Sequence, residues 1–464
     1  MSSQTVPGPI ASRLIDHALG LDLDSLEPSA RQRATWFTED SLLVGLGAVG
    51  LPERAALLAG LDAAGPRAVG ARVIGTRRRL DPATAALING FQIHSQEFDC
   101  VHEAAVVHPM AVIAAVLLAW ADLTASPSRE IGQPVSGSAW IEAVVVAVDS
   151  ATVLGMMASR PMRFFRPAQC GALGAALGLA RLAGLNRQQT AVMLGLTLCQ
   201  LSGSMQAHVE GTAGLALQVG FNARNVITAL ELVKHGLAGP VDALDGPFGY
   251  LSLFEEQFDP APISEIGRVF QIERVSHKPW PTGRAAQGAL DALETLLAEG
   301  LDPAAVESLT LFAPPLVKRL VDRPFRSDAP SQYARLCLPW LLSVCLARGS
   351  VRLEDFSPTA LRDPARAAWT GRVQVKASDT VDPNALLPQK LVVGLRDGSR
   401  IERPINAVLG SPERPLSFDR RRAKALACAR HAGLEEFRTQ RLLDRLANLA
   451  ALDDVSILLN DMEL

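Results

Sequence analysis

The stretch 89–109 reads NGFQIHSQEFDCVHEAAVVHP. It holds three histidines (His94, His102, His108), three carboxylates (Glu97, Asp99, Glu103) and Cys100, and the almost wholly apolar segment 110–123 follows at once. Acids and imidazoles gathered beside a large apolar segment are where proton chemistry tends to sit. The stretch therefore reads as one wall of an active site. Pro109 suits the first turn of a helix, since proline lacks only an N–H that has no intrahelical partner there. His108 then stands at a helix N-terminus, where the partial positive charge favours an anion.

Around this wall, the text from about Ser12 to Ala261 is dominated by Ala, Leu, Val and Gly at helical spacing. Helices are expected over 29–50, 54–63, 83–98, 110–123, 138–158, 168–183, 187–206, 212–236 and 240–245. After about Gln271 the texture changes. The segments VESLTLFAP (306–314), GRVQVKAS (371–378) and QKLVVGLRDGSRIERPI (389–405) alternate and are β-branched, and Asp397-Gly398 is a hairpin signal. Helices fit between them at 284–299 and 331–348. The tail from about Pro415 returns to helix, with Ser417 as its N-cap. The fold class is mainly α: a large all-helical domain over 1–270, a smaller α/β lid domain over 271–405, and C-terminal helices over 406–464 that return to the helical domain. The cleft between body and lid is the expected ligand site.

The 464 residues are 48% hydrophobic and 20% charged, with a formal net charge of −3, which suits an ordinary globular protein. That charge argues against binding to nucleic acid or an anionic membrane by bulk electrostatics. The basic runs Arg77 to Arg79 and Arg420 to Arg422 read as solvated surface. Six scattered cysteines without a CxxC pair imply neither a disulfide framework nor a zinc ribbon. The first residues have neither a basic start nor a long apolar run, so the expected location is cytoplasmic. The segment 104–123 is broken by His108-Pro109 and ends near Asp122, which makes it a core helix and not a membrane span. GLGAVG at 45–50 fits GxGxxG but follows helical text, so it reads as a small-residue packing face and not as a nucleotide fingerprint.

Five segments taken in order resemble the MmgE/PrpD family, which includes 2-methylcitrate dehydratase, cis-aconitate decarboxylase and iminodisuccinate epimerase. They are the stretch 89–109, RPAQCGALGAALGLARLAGL (166–185), GTAGLALQVGFNARNVITALELVKHGLAGP (211–240), HKPWP (277–281) and GSPERPLS (410–417). The resemblance implies lyase or epimerase chemistry on small carboxylates without a metal or organic cofactor, in a pocket between helical body and lid. It implies a homodimer formed through the helical domain. It also places His102, His108 and Lys278 at family positions that are intact, and Glu97 where the family has an aspartate. Several positions depart from the pattern. Cys100 and Val101 stand for Asp-Thr, Arg166 for a histidine, Leu215 for a lysine, Gln218 for a histidine, Gly283 for a cysteine or histidine and Gln287 for a histidine. Replacing a lysine by leucine removes a carboxylate's counter-charge, which weighs against an unmodified tricarboxylate substrate.

The leading expectation is a lyase or isomerase that moves a proton α to a carboxylate. His108 is its general acid or base, Glu97 a polar partner or second proton carrier, and Lys278 a clamp or proton donor from the lid. Arg166 and Arg284 are candidate replacements for the lost cations, since guanidinium binds carboxylate bidentately. Gln218, Val101, Leu215 and Tyr333 complete the candidate substrate-binding set. His94 and His102, eight residues apart, would fall near one face of a continuous helix and read as support. Only one of Glu97 and Asp99 is expected to face the pocket, because residues two apart on a helix diverge. Glu103 reads as solvated. A zinc site from His94, Asp99, Cys100, His102 and His108 is conceivable by residue type, but no recurrent spacing supports it. Two alternatives remain: a member with a more apolar pocket serving a less anionic biosynthetic substrate, and a binding or scaffold protein.

Overall fold

A computed structural model describes residues 6–464 other than 62–64, 66, 126–132 and 256. Proline sets the start of the first five helices: α1 (Pro9–Gly20), α2 (Pro28–Gly47), α3 (Pro52–Leu61), α4 (Pro82–His94) and α5 (Pro109–Thr124). Its fixed φ and missing donor suit a position whose N–H has no partner in the helix. Side chains cap the others where they can. Ser136 accepts from Ala139 N at the head of α6 (Gly137–Met156), α7 spans Arg166–Leu182, and Asn186 and Gln189 form a reciprocal cap on α8 (Arg187–Leu198). The short α9 (Gln206–Glu210) and the long α10 (Gly214–Lys234) complete the helical body.

The centre of the body is made of α5, α6 and α7. Every side chain of α5 is buried. Helices α6 and α7 touch through glycine, since a Cβ on Gly174 would lie 2.3 Å from the carbonyl of Ala147. Helix α6 is long and apolar enough to cross a membrane, yet 83% of its most apolar window is buried within the protein. It also carries the buried Asp149, which accepts from Gln271 N at 2.7 Å and meets His17 Nε2 at 3.1 Å.

Two short antiparallel pairs lie within this framework, β1 (Ala71–Arg72) with β2 (Arg79–Leu80), and β3 (Val101–His102) with β4 (Val275–Ser276). The second joins the stretch that precedes α5 to the segment carrying Lys278. Four longer strands, β5 (Val306–Ala313), β6 (Val373–Ala377), β7 (Gln389–Leu395) and β8 (Arg400–Ile405), form one sheet in the order β6-β5-β7-β8. Only the β5/β6 pair is parallel. With this sheet go α11 (Arg284–Ala298), α12 (Pro315–Val321), α13 (Ser331–Ala334), α14 (Leu338–Arg348) and α15 (Pro358–Leu361). Ser417 caps α16 (Phe418–Ala432), and α17 (Glu436–Ala447) and α18 (Ile457–Asp461) end the chain. The buried apolar residues form two clusters. One is built from the body helices together with Ala425 to Met462, and the other runs from Trp280 to Val408.

The structure revises several expected helices. The helix expected over 83–98 stops at His94, and the one over 187–206 stops at Leu198. No helix forms over 240–245, because Asp242 and Asp245 cap α1 instead, accepting from the backbone N–H groups of Gly8, Ile10 and Ala11 at 3.0–3.1 Å. The segment 331–348 is two helices, with Pro339 in the first turn of the second. The helix expected over 54–63 is seen to Leu61, and its last two positions lie outside the described residues. GLGAVG closes α2, where a Cβ on Gly45 would lie 3.0 Å from Ile93, as a packing face requires.

Candidate functional site

After α4 the chain folds back sharply on itself before α5 begins. Glu97 (φ 50°) and Val106 (φ 51°) are the described non-glycine residues with positive φ. A β-branched residue there is a steric outlier, and each such residue stores on the order of 1–3 kcal/mol that its surroundings must offset. Between them, His102 pairs with both Val275 and Val107. His108 is the N-cap of α5 and Pro109 its first residue. On the facing segment, His277 N donates to Gly410 O at 2.9 Å. A Cβ on Gly410 would lie 2.2 Å from the His277 carbonyl, so this close approach requires glycine.

These segments bring five ionisable groups together. Lys278 Nζ donates to Glu97 Oε2 at 3.0 Å and lies 3.6 Å from Asp99 Oδ1. Asp99 Oδ2 lies 2.9 Å from His94 Nδ1 and 3.3 Å from His108 Nδ1. His94 Nε2 is 3.8 Å from Glu97 Oε1, and the two imidazole rings meet edge to face with centroids 4.9 Å apart. Because the helix ends at His94, Glu97 and Asp99 do not diverge as helical neighbours two apart would. Both reach Lys278, and of the two only Glu97 lines the adjoining cavity, as expected.

Burial and charge divide the two histidines. Burial alone would lower the pKa of His94, but the Asp99 carboxylate and then Glu97 outweigh it, so its pKa is raised. Burial and the nearby Lys278 ammonium lower that of His108, against the pull of Asp99. Glu97 is brought down to about 2 despite burial, chiefly by Lys278 and then by the two imidazoles, and Asp99 lies well below the usual carboxylate range. At neutral pH His108 is therefore a neutral imidazole beside a charged, internally paired cluster. With Nδ1 turned to Asp99, its other nitrogen is the one left for a ligand.

His94, Glu97 and His108 line a cavity of about 70 Å³ between the helical body and the segments 283–285, 320–321 and Leu386. Water needs on the order of 10–15 Å³ on this measure, so the space suits a small molecule. Its remaining wall is mainly apolar: Val101, Met162, Phe165 and Leu215 face it, with His208 as a further imidazole.

The sequence-derived residues separate clearly. His108, Glu97, Val101, Leu215 and Arg284 line this cavity. Lys278 does not; it is fully buried behind the wall, paired to its carboxylates. Arg284 is also engaged, donating to Glu103 Oε1 at 2.6 and 2.9 Å and to Leu409 O at 2.8 Å. Glu103, expected in solvent, is thereby held half-buried and also accepts from Ser276 at 2.8 Å. Arg166 pairs with Glu255 at 3.2 Å and lines a separate hollow. Gln218 accepts from Ser204 N, and the Tyr333 hydroxyl donates to Pro324 O at 2.7 Å, both away from the cavity. Arg166, Gln218 and Tyr333 thus make these local contacts and are not brought to the wall of this cavity. His102 does not share a face with His94. Its Nδ1 accepts from Ala105 N and its Nε2 meets Gln271 Oε1, both at 3.2 Å. Arg79, expected in solvent, reaches the buried Asp122 at 3.0 Å.

Donor atoms of His94, Asp99 and His108 lie within 4.8 Å of one another. The adjacent ammonium weighs against a cation there. Asp99 hydrogen-bonds His94 and faces His108 at 3.3 Å, and the Lys278 ammonium stands 3.6 Å from the same carboxylate. His208, which sits just ahead of the segment 211–240, lines the cavity without a motif to mark it in the sequence.

Residues 12–263 match the family model for the MmgE/PrpD N-terminal domain, and residues 280–449 match that for the MmgE/PrpD C-terminal domain. Among curated proteins, the chain is 25% identical over 480 residues to the cis-aconitate decarboxylase-like protein oryM of Aspergillus oryzae, covering 99% of this chain and 98% of that one. It is 26% identical over 395 residues to human cis-aconitate decarboxylase (82% and 79% covered). It is 24% identical over 417 residues to cis-aconitate decarboxylase of Aspergillus terreus (84% and 82% covered).

Proposed function

Since this chain belongs to the MmgE/PrpD family, we propose that it is a lyase that transfers a proton at a carbon activated by a carboxylate, with His108 as the proton carrier. Similarity to cis-aconitate decarboxylases supports lyase-type chemistry on a carboxylated substrate. The observation that carries the proton-transfer step is His108 lining the cavity with its Nδ1 3.3 Å from Asp99, its pKa lowered by burial and by the Lys278 ammonium. A neutral imidazole takes a proton at working pH and returns it once charged. Glu97 and Lys278 are placed here as the supports of that geometry, with Glu97 also bordering the substrate.

Within lyase chemistry the wall favours decarboxylation. Loss of CO2 disperses charge and suits an apolar environment, whereas a departing hydroxide needs a strong acid beside it. Leu215 and Val101 further favour a substrate with fewer charges than a tricarboxylate, because the cavity-lining cation Arg284 is already paired to Glu103. We also propose a homodimer, as the family resemblance suggests, to be checked by sedimentation.

The test is a panel of mono-, di- and tricarboxylates, cis-aconitate among them, followed by 13C NMR in D2O. Release of CO2 or deuterium uptake at carbon from at least one member is expected. Ligand binding with neither reaction across the panel would favour a scaffold instead.

A further inference from the structure

We propose that His208 contacts the substrate and reads an uncharged oxygen on it, a carbonyl or hydroxyl borne by the same molecule as the reacting carboxylate. The inference rests on the reading above only in taking the His108 cavity as the substrate site.

His208 belongs to α9, on the side of the cavity formed with Met205 and Leu215. It is 7% exposed. No hydrogen bond to its ring nitrogens occurs among the described residues, while its backbone carbonyl accepts from Arg323 at 3.3 Å. A buried imidazole with neither nitrogen satisfied is disfavoured unless a ligand or water completes it. The other two cavity histidines, His94 and His108, each turn Nδ1 to the Asp99 carboxylate, at 2.9 and 3.3 Å. Among the described residues His208 is the cavity histidine with no carboxylate at either ring nitrogen, which leaves both to a ligand.

The charged groups around His208 decide what it can bind. Burial and then the guanidinium groups of Arg323 and Arg319 hold its pKa at about 4, and only Glu97 opposes them. In the neutral imidazole one nitrogen donates and the other accepts. A neutral donor can polarise a carbonyl without carrying a charge of its own. It gives little advantage to a second carboxylate, which would have to leave water for a wall whose lysine position is Leu215. The substrate class that fits is a carboxylate with a carbonyl or hydroxyl in place of a further acid group.

Three five-carbon probes separate this from other roles: pentanoate, 4-oxopentanoate and glutarate. Their binding is measured by calorimetry on wild type, His208→Gln and His208→Leu. Binding is read without turnover, so it would survive even if His108 carried no proton. We expect 4-oxopentanoate to bind at least about tenfold more tightly than the other two, the preference to survive in His208→Gln and to vanish in His208→Leu. Circular dichroism and melting temperature confirm that both variants fold. If His208→Leu is unfolded, the same comparison is made with His208→Asn and His208→Ala. A preference for glutarate, equal binding or no binding of all three, or a carbonyl preference that persists without the imidazole would overturn the assignment.

Discussion

Oδ2 of Asp99 lies 3.3 Å from Nδ1 of His108, so a fully buried carboxylate fixes which imidazole nitrogen is left for the cavity. The same oxygen is 2.9 Å from His94. Asp99→Asn keeps the shape but replaces a bridging acceptor with a group that also donates. Turnover should fall by about 100-fold or more, in the range expected when a proton carrier loses its orientation. Steady-state kinetics beside 15N spectra of the histidines would check this, and unchanged kcat would separate Asp99 from the chemistry.

Lys278 is fully buried between Glu97 and Asp99. Removing one member of a buried ion pair typically destabilises by about 3–5 kcal/mol, because the other charge is left uncompensated. Lys278→Met should show a loss of this size in urea unfolding. Adding Glu97→Gln should restore part of it, with Asp99 still unpaired. Additive losses in the double variant would mean the pair is not coupled.

Stability should fall more steeply toward acid than toward base. His102 and His208 are held near 4 by burial, from an ordinary value of 6.5. A depressed folded pKa contributes stability that is present above the unfolded value and lost as pH falls through the folded one. Each imidazole thus removes on the order of 3 kcal/mol between about pH 6.5 and 4. Glu97, at about 2, adds to the loss below the usual carboxylate range. His94 has the opposite sign: its raised pKa contributes below 6.5, and that part is lost as pH rises through its folded value. Urea midpoints from pH 4 to 9 would show the asymmetry, and a flat profile from pH 7 to 5 would contradict it.

Leu215 is buried in the cavity wall where the resembling family carries a lysine. Leu215→Lys puts a cation into a largely apolar space and should lower the melting temperature by several degrees on its own. Citrate should then recover more of that loss in the variant than it adds to wild type, as binding to the native state does. Equal citrate shifts in both proteins would show that this position does not select for charge.

Much of this arrangement was legible in the sequence. The helical text, the change of texture after Gln271 and the hairpin at Asp397-Gly398 depend on periodicity and turn chemistry, which are local. His108 before Pro109 was legible for the same reason, since a cap is a local event. The pairing of Lys278 with both Glu97 and Asp99 was not, because it depends on α4 ending at His94 and on Glu97 adopting a left-handed conformation. Arg166 and Tyr333 show the converse. Their side chains suit a substrate by type, but Glu255 and Pro324, distant in sequence or outside any pattern, take up their hydrogen bonds. His208 carried no motif, and only the closing of the cavity gives its ring a role.

The most direct test of His108 as the proton carrier compares wild type with His108→Ala in D2O, on whichever carboxylate the panel shows to react. Deuterium uptake at the reacting carbon should fall by about 100-fold or more while probe binding and the folded state persist. Uptake at the wild-type rate in a folded His108→Ala protein would contradict it.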